Sequence, residues 1–312
     1  MASDRRFRFG AQLSFARSRD EWVAKARRLE DLGFATLCAP DHFDDQLAPI
    51  PALVAAAAAT TTLRVGTLVL DNDYRHPLLV AKEAATLDLL SGGRFELGIG
   101  AGWLSSDYEQ SGIACDPPGV RIDRLEESLA VVKGLLAGGK FSYSGRHYTV
   151  SGHPGTPLPV QRPRPPILVG GGGRRILTLA GREADIVNVN FDLRSGSIGP
   201  QVGATATSGA TAEKVEWIRE AAGDRFDQIE LSSTAYLTMV TDDRDAVAAG
   251  LGMGFGLDAE QVLAMPNFAI GTIGQITDEL ERRRDELGFS YVVVGGECFE
   301  AMAPVVERLA GR

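Results

Sequence analysis

Cysteine is scarce in this chain. Cys38, Cys115 and Cys298 are odd in number and widely spaced, which argues against a disulfide framework and against a Cys-x-x-Cys zinc or redox site. Histidine is nearly as rare, with four in 312 residues. HExxH and HxH spacings are absent, His147 and His153 lack a partner at ligand spacing, and no metal is expected. No GxSxG elbow appears, and neither Cys38 nor Cys115 has a histidine close by that would make it a nucleophile. Positive charge is also in deficit: a net charge of −9 and a pI near 5.1, without a basic stripe, argue against nucleic acid or an anionic membrane as partner. Nor does any apolar run reach the ~18 residues of a membrane span; the nearest, Ala52 to Ala59, is an alanine string suited to a tightly packed helix. The opening MASDRRFRFGAQL has basic residues but no apolar core or cleavage site, so a cytoplasmic location and small-molecule ligands are expected.

What the chain does contain is alternation. Ala84 to Trp103, AATLDLLSGGRFELGIGAGW, runs from a helix through a Ser91-Gly92-Gly93 stop into a strand on Phe95, Leu97 and Ile99. Gly98, Gly100 and Gly102 then strip the strand of side chains, so that it offers bare backbone to a ligand or to a neighbouring strand. Read coarsely, strands fall near 7–13, 34–39, 64–70, 94–100, 166–170, 184–190, 229–240 and 289–295. Helices fall near 19–32, 50–60, 78–91, 120–137, 174–183, 211–222, 272–287 and 299–310. Eight consecutive pairs predict an α/β fold of the TIM (β/α)8 type in one domain, with ligands where the strands end. A doubly wound sheet competes through Gly170-x-Gly172 and Asp192, about 20 residues on, but Arg175 stands where its third glycine belongs.

Two stretches break the rhythm. From 138 to 166, FSYSGRHYTV reads as two short β runs about Ser144-Gly145 followed by six prolines, an insertion into the barrel. From 194 to 209 the chain is rich in Gly, Ser, Ala and Thr without apolar period, and a mobile loop is expected there. Strand two ends in Pro40-Asp41-His42-Phe43, which sets an acid and an imidazole at the mouth of the barrel; the alternative is a turn-capping Asp with a space-filling His. Asp71 and Asn72 follow strand three and either meet a ligand or form the turn before Arg75-His76-Pro77. Gly170, Gly171, Gly172 and Gly173 open a helix at Arg174 and Arg175, a backbone arrangement suited to an anion. Asn188 and Asn190 end the next strand.

The order of these motifs, with PDHF after strand two, YRHP, the SGGRFELGIGAGW stretch and the late VGGGG, resembles the bacterial luciferase-like flavin and deazaflavin oxidoreductases, in detail the coenzyme F420-dependent branch. The resemblance implies a deazaflavin ring at the strand ends, with His42 catalytic and Asp41 orienting it. Hydride would then pass between the ring's C5 and a small organic substrate. It places a non-prolyl cis peptide at Leu68-Val69 behind the ring, cofactor contacts at Asp41, His42, Leu68, Val69, Asp71, Asn72, Ala101, Gly102 and Asn188, and the phosphate at Gly170 to Gly173 with Arg174 and Arg175. Where several F420 enzymes carry a glutamate, this chain has Trp103, expected with Tyr108 to wall the substrate pocket. The resemblance also implies a homodimer. An FMN-dependent monooxygenase of the same family and a non-catalytic flavin-binding protein are the competing readings.

Overall fold

The computed structural model describes residues 5–312. Eight strands close into a parallel barrel: β1 (Arg8–Gln12), β2 (Thr36–Ala39), β3 (Arg64–Thr67, resumed at Leu70–Asp71), β4 (Phe95–Gly100), β5 (Ile167–Gly171), β6 (Ile186–Val189), β7 (Glu230–Ala235) and β8 (Phe289–Gly295). Each pairs with its neighbours in sequence, and β8 pairs back onto β1 through Arg8–Tyr291 to Gln12–Gly295. Eight helices surround it: α1 (Arg19–Asp31), α2 (Pro49–Ala59), α3 (Pro77–Leu90), α4 (Pro118–Leu136), α5 (Arg174–Glu183), α6 (Ser208–Ala222), α7 (Ile273–Leu287) and α8 (Phe299–Leu309). No helix among the described residues is long and apolar enough to cross a membrane.

The strands read as unbroken apolar runs because they are covered twice. Phe9, Leu37, Val65, Leu97 and Val292 face the helices in the main core, while Cys38, Leu68, Leu168, Ile186, Tyr291 and Val293 fill the interior. At the N-terminal end of the barrel a charge network replaces apolar packing. Arg8 and Arg64 each donate to Oε1 of Glu96 at 2.7 Å, and Arg8 also reaches Glu230 at 2.6 Å. Burial would push the Glu96 carboxyl up, but the two guanidinium charges outweigh it and hold it below the ordinary range. That end carries the closure, and the opposite end is left to the ligand.

The glycines of β4 serve the neighbouring strand. A Cβ on Gly98 would lie 1.9 Å from the Thr67 carbonyl oxygen, and one on Gly100 would lie 2.8 Å from Val69 Cγ2. β3 thus presses onto β4 where it turns through Leu68 and Val69.

The insertion holds an antiparallel hairpin, Phe141–Ser144 with Thr149–His153. The expected strand over 229–240 is two strands: β7 ends at Ala235, and Leu237–Val240 leaves the barrel to pair in parallel with Phe268–Gly271. Between them lie helices Arg244–Phe255 and Ala259–Leu263, in a stretch where the sequence predicts no element because Gly250, Gly252 and Gly254 dilute the apolar face that marks a helix. These helices cover a second core of Phe191, Val202, Ala206, Val262 and Met265. The 194–209 stretch, expected as a loop, contributes the helical turn Pro200–Gly203 and buries Val202 and Ala206 there.

Candidate active site

At the C-terminal ends of the strands lies a cavity of ≈ 690 Å³, the size of a cofactor site. Asp41, His42, Leu68, Val69, Asp71, Ala101, Gly102, Trp103, Gly170 to Gly173, Arg174, Arg175 and Asn188 all line it. Asn72 and Tyr108 do not. Asn72 is 1% exposed and donates to the Tyr148 hydroxyl at 3.2 Å, and Tyr108, 2% exposed, lies behind Asp71 and donates to it. Tyr108 is therefore a support for the wall and not part of it.

His42 is held by an acid, but not by Asp41. Its Nδ1 lies 2.7 Å from Oδ2 of Asp107, on the short helix Ser105–Ser111, and the Tyr74 hydroxyl donates to the same oxygen at 3.2 Å. Asp107 is 3% exposed. An ionised carboxylate only accepts, so Nδ1 carries the proton and Nε2 is the ring's exchangeable nitrogen. Trp103 stands edge-on to the imidazole at 5.9 Å between ring centres. Asp41 instead accepts from both Nη atoms of Arg75 and from the Asp71 backbone N–H at 3.0 Å, which ties the end of β2 to the end of β3. The expected orienting role of Asp41 thus passes to Asp107. No spacing in the sequence marks that pair, since 65 residues separate its members and only barrel closure brings them together.

The Leu68-Val69 peptide is cis, and the Leu68 carbonyl accepts from Gln12 Nε2 at 2.7 Å. Gly102 follows at φ 71°, where a Cβ would lie 2.3 Å from Asp71 Oδ2. Among the described residues Asp71 makes no ion pair, since Arg75 is engaged by Asp41. Burial pushes its pKa up to about 6, and the Asp73 and Asp41 charges push the same way against the bond from the Asp73 N–H. With the folded value above the ordinary 3.8, ionised Asp71 opposes folding. The opposition is absent below pH 3.8 and complete above pH 6, at about 3 kcal/mol. Asp71→Asn, which imitates the protonated acid, should therefore gain little stability over the wild type near pH 4 and progressively more up to pH 7. Denaturant unfolding at the two pH values checks this, and a difference that does not vary with pH would contradict it.

On the far side, Gly173 caps α5 without a side-chain bond. At Gly172 a Cβ would collide with the Phe191 carbonyl oxygen at 1.8 Å, so this turn admits only glycine. Arg175 is occupied, donating to Gly119 O at 2.9 Å and to Asp123. Arg174, 71% exposed, has its nearest acid, Glu220, at 3.9 Å. Asn188 donates to Ser232 and Thr234 at 3.0 and 3.2 Å, which fixes its amide at the cavity floor. The residues present fit a flavin or deazaflavin. The uncapped helix start suits a phosphate, and the side chain of Gln46 at the wall leaves its buried Oε1 without a partner. Gln12, Gln46, Asp107 and Arg121 are wall residues that sequence reasoning missed.

The architecture has close counterparts among solved structures. The chain matches coenzyme F420-dependent tetrahydromethanopterin reductase from Methanopyrus kandleri with a TM-score of 0.79 at 20% identity, covering 98% of this chain and 99% of that one. It matches EDTA monooxygenase from Chelativorans sp. BNC1 with a TM-score of 0.78 at 15% identity, covering 99% and 95%. These likenesses speak to the fold alone. In sequence it is 32% identical over 142 residues to the FMNH2-dependent dimethylsulfone monooxygenase of Pseudomonas putida, covering 46% of this chain and 39% of that protein, less than half of the relative's length. The luciferase-like monooxygenase family model matches residues 6–286, and with that span and this barrel the chain belongs to the luciferase-like monooxygenase family.

Proposed function

We propose that this protein is an F420-dependent oxidoreductase that moves a hydride between the cofactor and a small organic substrate, with His42 moving the accompanying proton. The observation that carries the reading is the imidazole fixed by Asp107 in the wall of a cofactor-sized cavity. Hydride transfer to or from a C–O or C=C bond needs a proton delivered or removed at a defined place, and the Nε2 of an imidazole held at the cavity wall can give or take it. Once bound, the deazaflavin supplies or accepts the hydride. The chain's own part is positional. Asp107 and Tyr74 hold the ring of His42, Leu68 and Val69 back the cofactor, the start of α5 takes its phosphate, and Trp103 closes one side of the pocket.

Arg174 supports F420 over FMN. Beyond its phosphate F420 continues as an anionic tail, FMN ends there, and Arg174 stands at the rim with little neutralisation. The similarity to an FMNH2-dependent monooxygenase favours the other reading, in which the same cavity holds FMN. Equilibrium titration with both cofactors separates the two. Tighter binding of F420 is expected, weakened in Arg174→Ala by about 1 to 3 kcal/mol; micromolar FMN binding without an F420 signal would promote the monooxygenase.

A further inference from the structure

One buried cation in the cavity wall makes no direct ion pair among the described residues, although the Asp73 carboxylate, itself paired with Arg124, lies near enough to feel its charge. Arg121, in the first turn of α4, is 5% exposed. Its Nη1 donates to Sγ of Cys115 at 3.0 Å and its Nε is buried without a partner. Among the described residues no carboxylate oxygen lies within 4.0 Å of it. Four other arginines of this region are neutralised, Arg75 by Asp41, Arg124 by Asp73 and Asp116, Arg175 by Asp123 and Arg194 by Asp192, and Arg174, which is weakly paired, is exposed to water where Arg121 is not. A desolvated guanidinium left unpaired is costly unless something else supplies the negative charge.

Its setting sharpens the point. Helix α4 has no side-chain N-cap and no acid in its first turn, and Pro118 and Gly119 line the cavity beside Arg121. A cation at the positive end of a 19-residue helix adds to the dipole instead of cancelling it, so both features ask for an anion. The edge that remains, Nε with Nη2, is the parallel pair of N–H groups that matches a carboxylate. Arg121 also lies over the Tyr108 ring, 5.4 Å from its centre. Tyr108 directly follows Asp107, the residue that holds His42, so one short helix touches both the cation and the proton carrier.

We propose that Arg121 and the start of α4 receive the carboxylate of the substrate, and that the substrates are small organic acids. The proposal rests on the cavity being the redox site described above. An anionic group in that place has one other source, the cofactor phosphate, because Arg175 joins the start of α4 to the glycine turn through Gly119. The phosphate, however, has the start of α5 and Arg174 for itself.

The test uses benzoate and its neutral isostere benzamide as probes, measured calorimetrically on the full chain with and without F420. Wild type should bind benzoate about tenfold or more tightly than benzamide. Arg121→Gln should abolish that preference while F420 affinity stays within about twofold, and Arg121→Lys should retain part of it. Equal affinity of the two probes for wild type, or a benzoate preference that survives in Arg121→Gln, overturns the proposal. So does a tenfold loss of F420 binding in Arg121→Gln with unchanged binding of the phosphate-free deazaflavin chromophore, which would assign Arg121 to the cofactor. Should Arg121→Gln fail to fold by circular dichroism, the wild-type ratio and Arg121→Lys decide. If F420 does not bind wild type at all, the functional reading fails, and the two probes on the cofactor-free protein still judge Arg121.

Discussion

Replacing His42 with alanine should lower turnover by about a hundredfold or more while cofactor affinity changes little. The imidazole is 23% exposed at the cavity wall and bonded through one nitrogen only, so its removal takes away a proton carrier without opening the glycine turn where a phosphate would sit. Asp107→Asn supplies the finer comparison. The amide keeps the shape but can present its nitrogen to Nδ1, which favours the wrong tautomer and should cost much of the same rate. Steady-state kinetics beside an F420 titration check both variants. A normal rate in His42→Ala would remove the residue from the chemistry, and a large loss of binding with normal single-turnover chemistry would make it a ring-positioning residue.

The second large effect falls on folding. Gly98→Ala would set a methyl group 1.9 Å from the Thr67 carbonyl oxygen and 2.9 Å from its carbon. Both obstacles are backbone of a central strand and cannot swing aside. A loss of about 3 to 5 kcal/mol is expected, enough to leave little folded protein at 37 °C. Gly254→Ala makes the control. It lies in helix Arg244–Phe255 with nothing within 4 Å of the added carbon, and alanine there should stabilise by roughly 0.5 to 1 kcal/mol. Thermal unfolding of the pair measures the contrast; similar melting temperatures would show that β3 can retreat from β4.

These two sites also show how much could be read from the residues alone. The eight strands and eight helices were legible because each strand is an apolar run bounded by turn residues and each helix repeats its apolar face. The glycines of β4 were legible as bare backbone, but whether they faced a ligand or a strand was not, since that depends on the path of β3 through Leu68 and Val69. The cavity wall was read largely from strand ends, where the barrel topology dictates that ligands bind. Pairings across the mouth were out of reach. Asp41 and His42 are adjacent in sequence, yet the acid turns to Arg75 and the imidazole to Asp107, because closure brings the segments after β3 and β4 against the end of β2. Arg121 was hidden for a related reason: in sequence it is one more basic residue of a helix start, and only burial without a direct ion pair sets it apart.

The function proposed for this cavity is hydride transfer with a deazaflavin and not oxygen activation with a flavin. The most direct measurement follows the absorbance of reduced F420 as it is reoxidised by a panel of small organic acids and carbonyl compounds, in air and under strict anaerobiosis. Reoxidation that depends on both the protein and the organic compound, at the same rate with and without oxygen, is the predicted result. Turnover seen only with reduced FMN and only in air would contradict it.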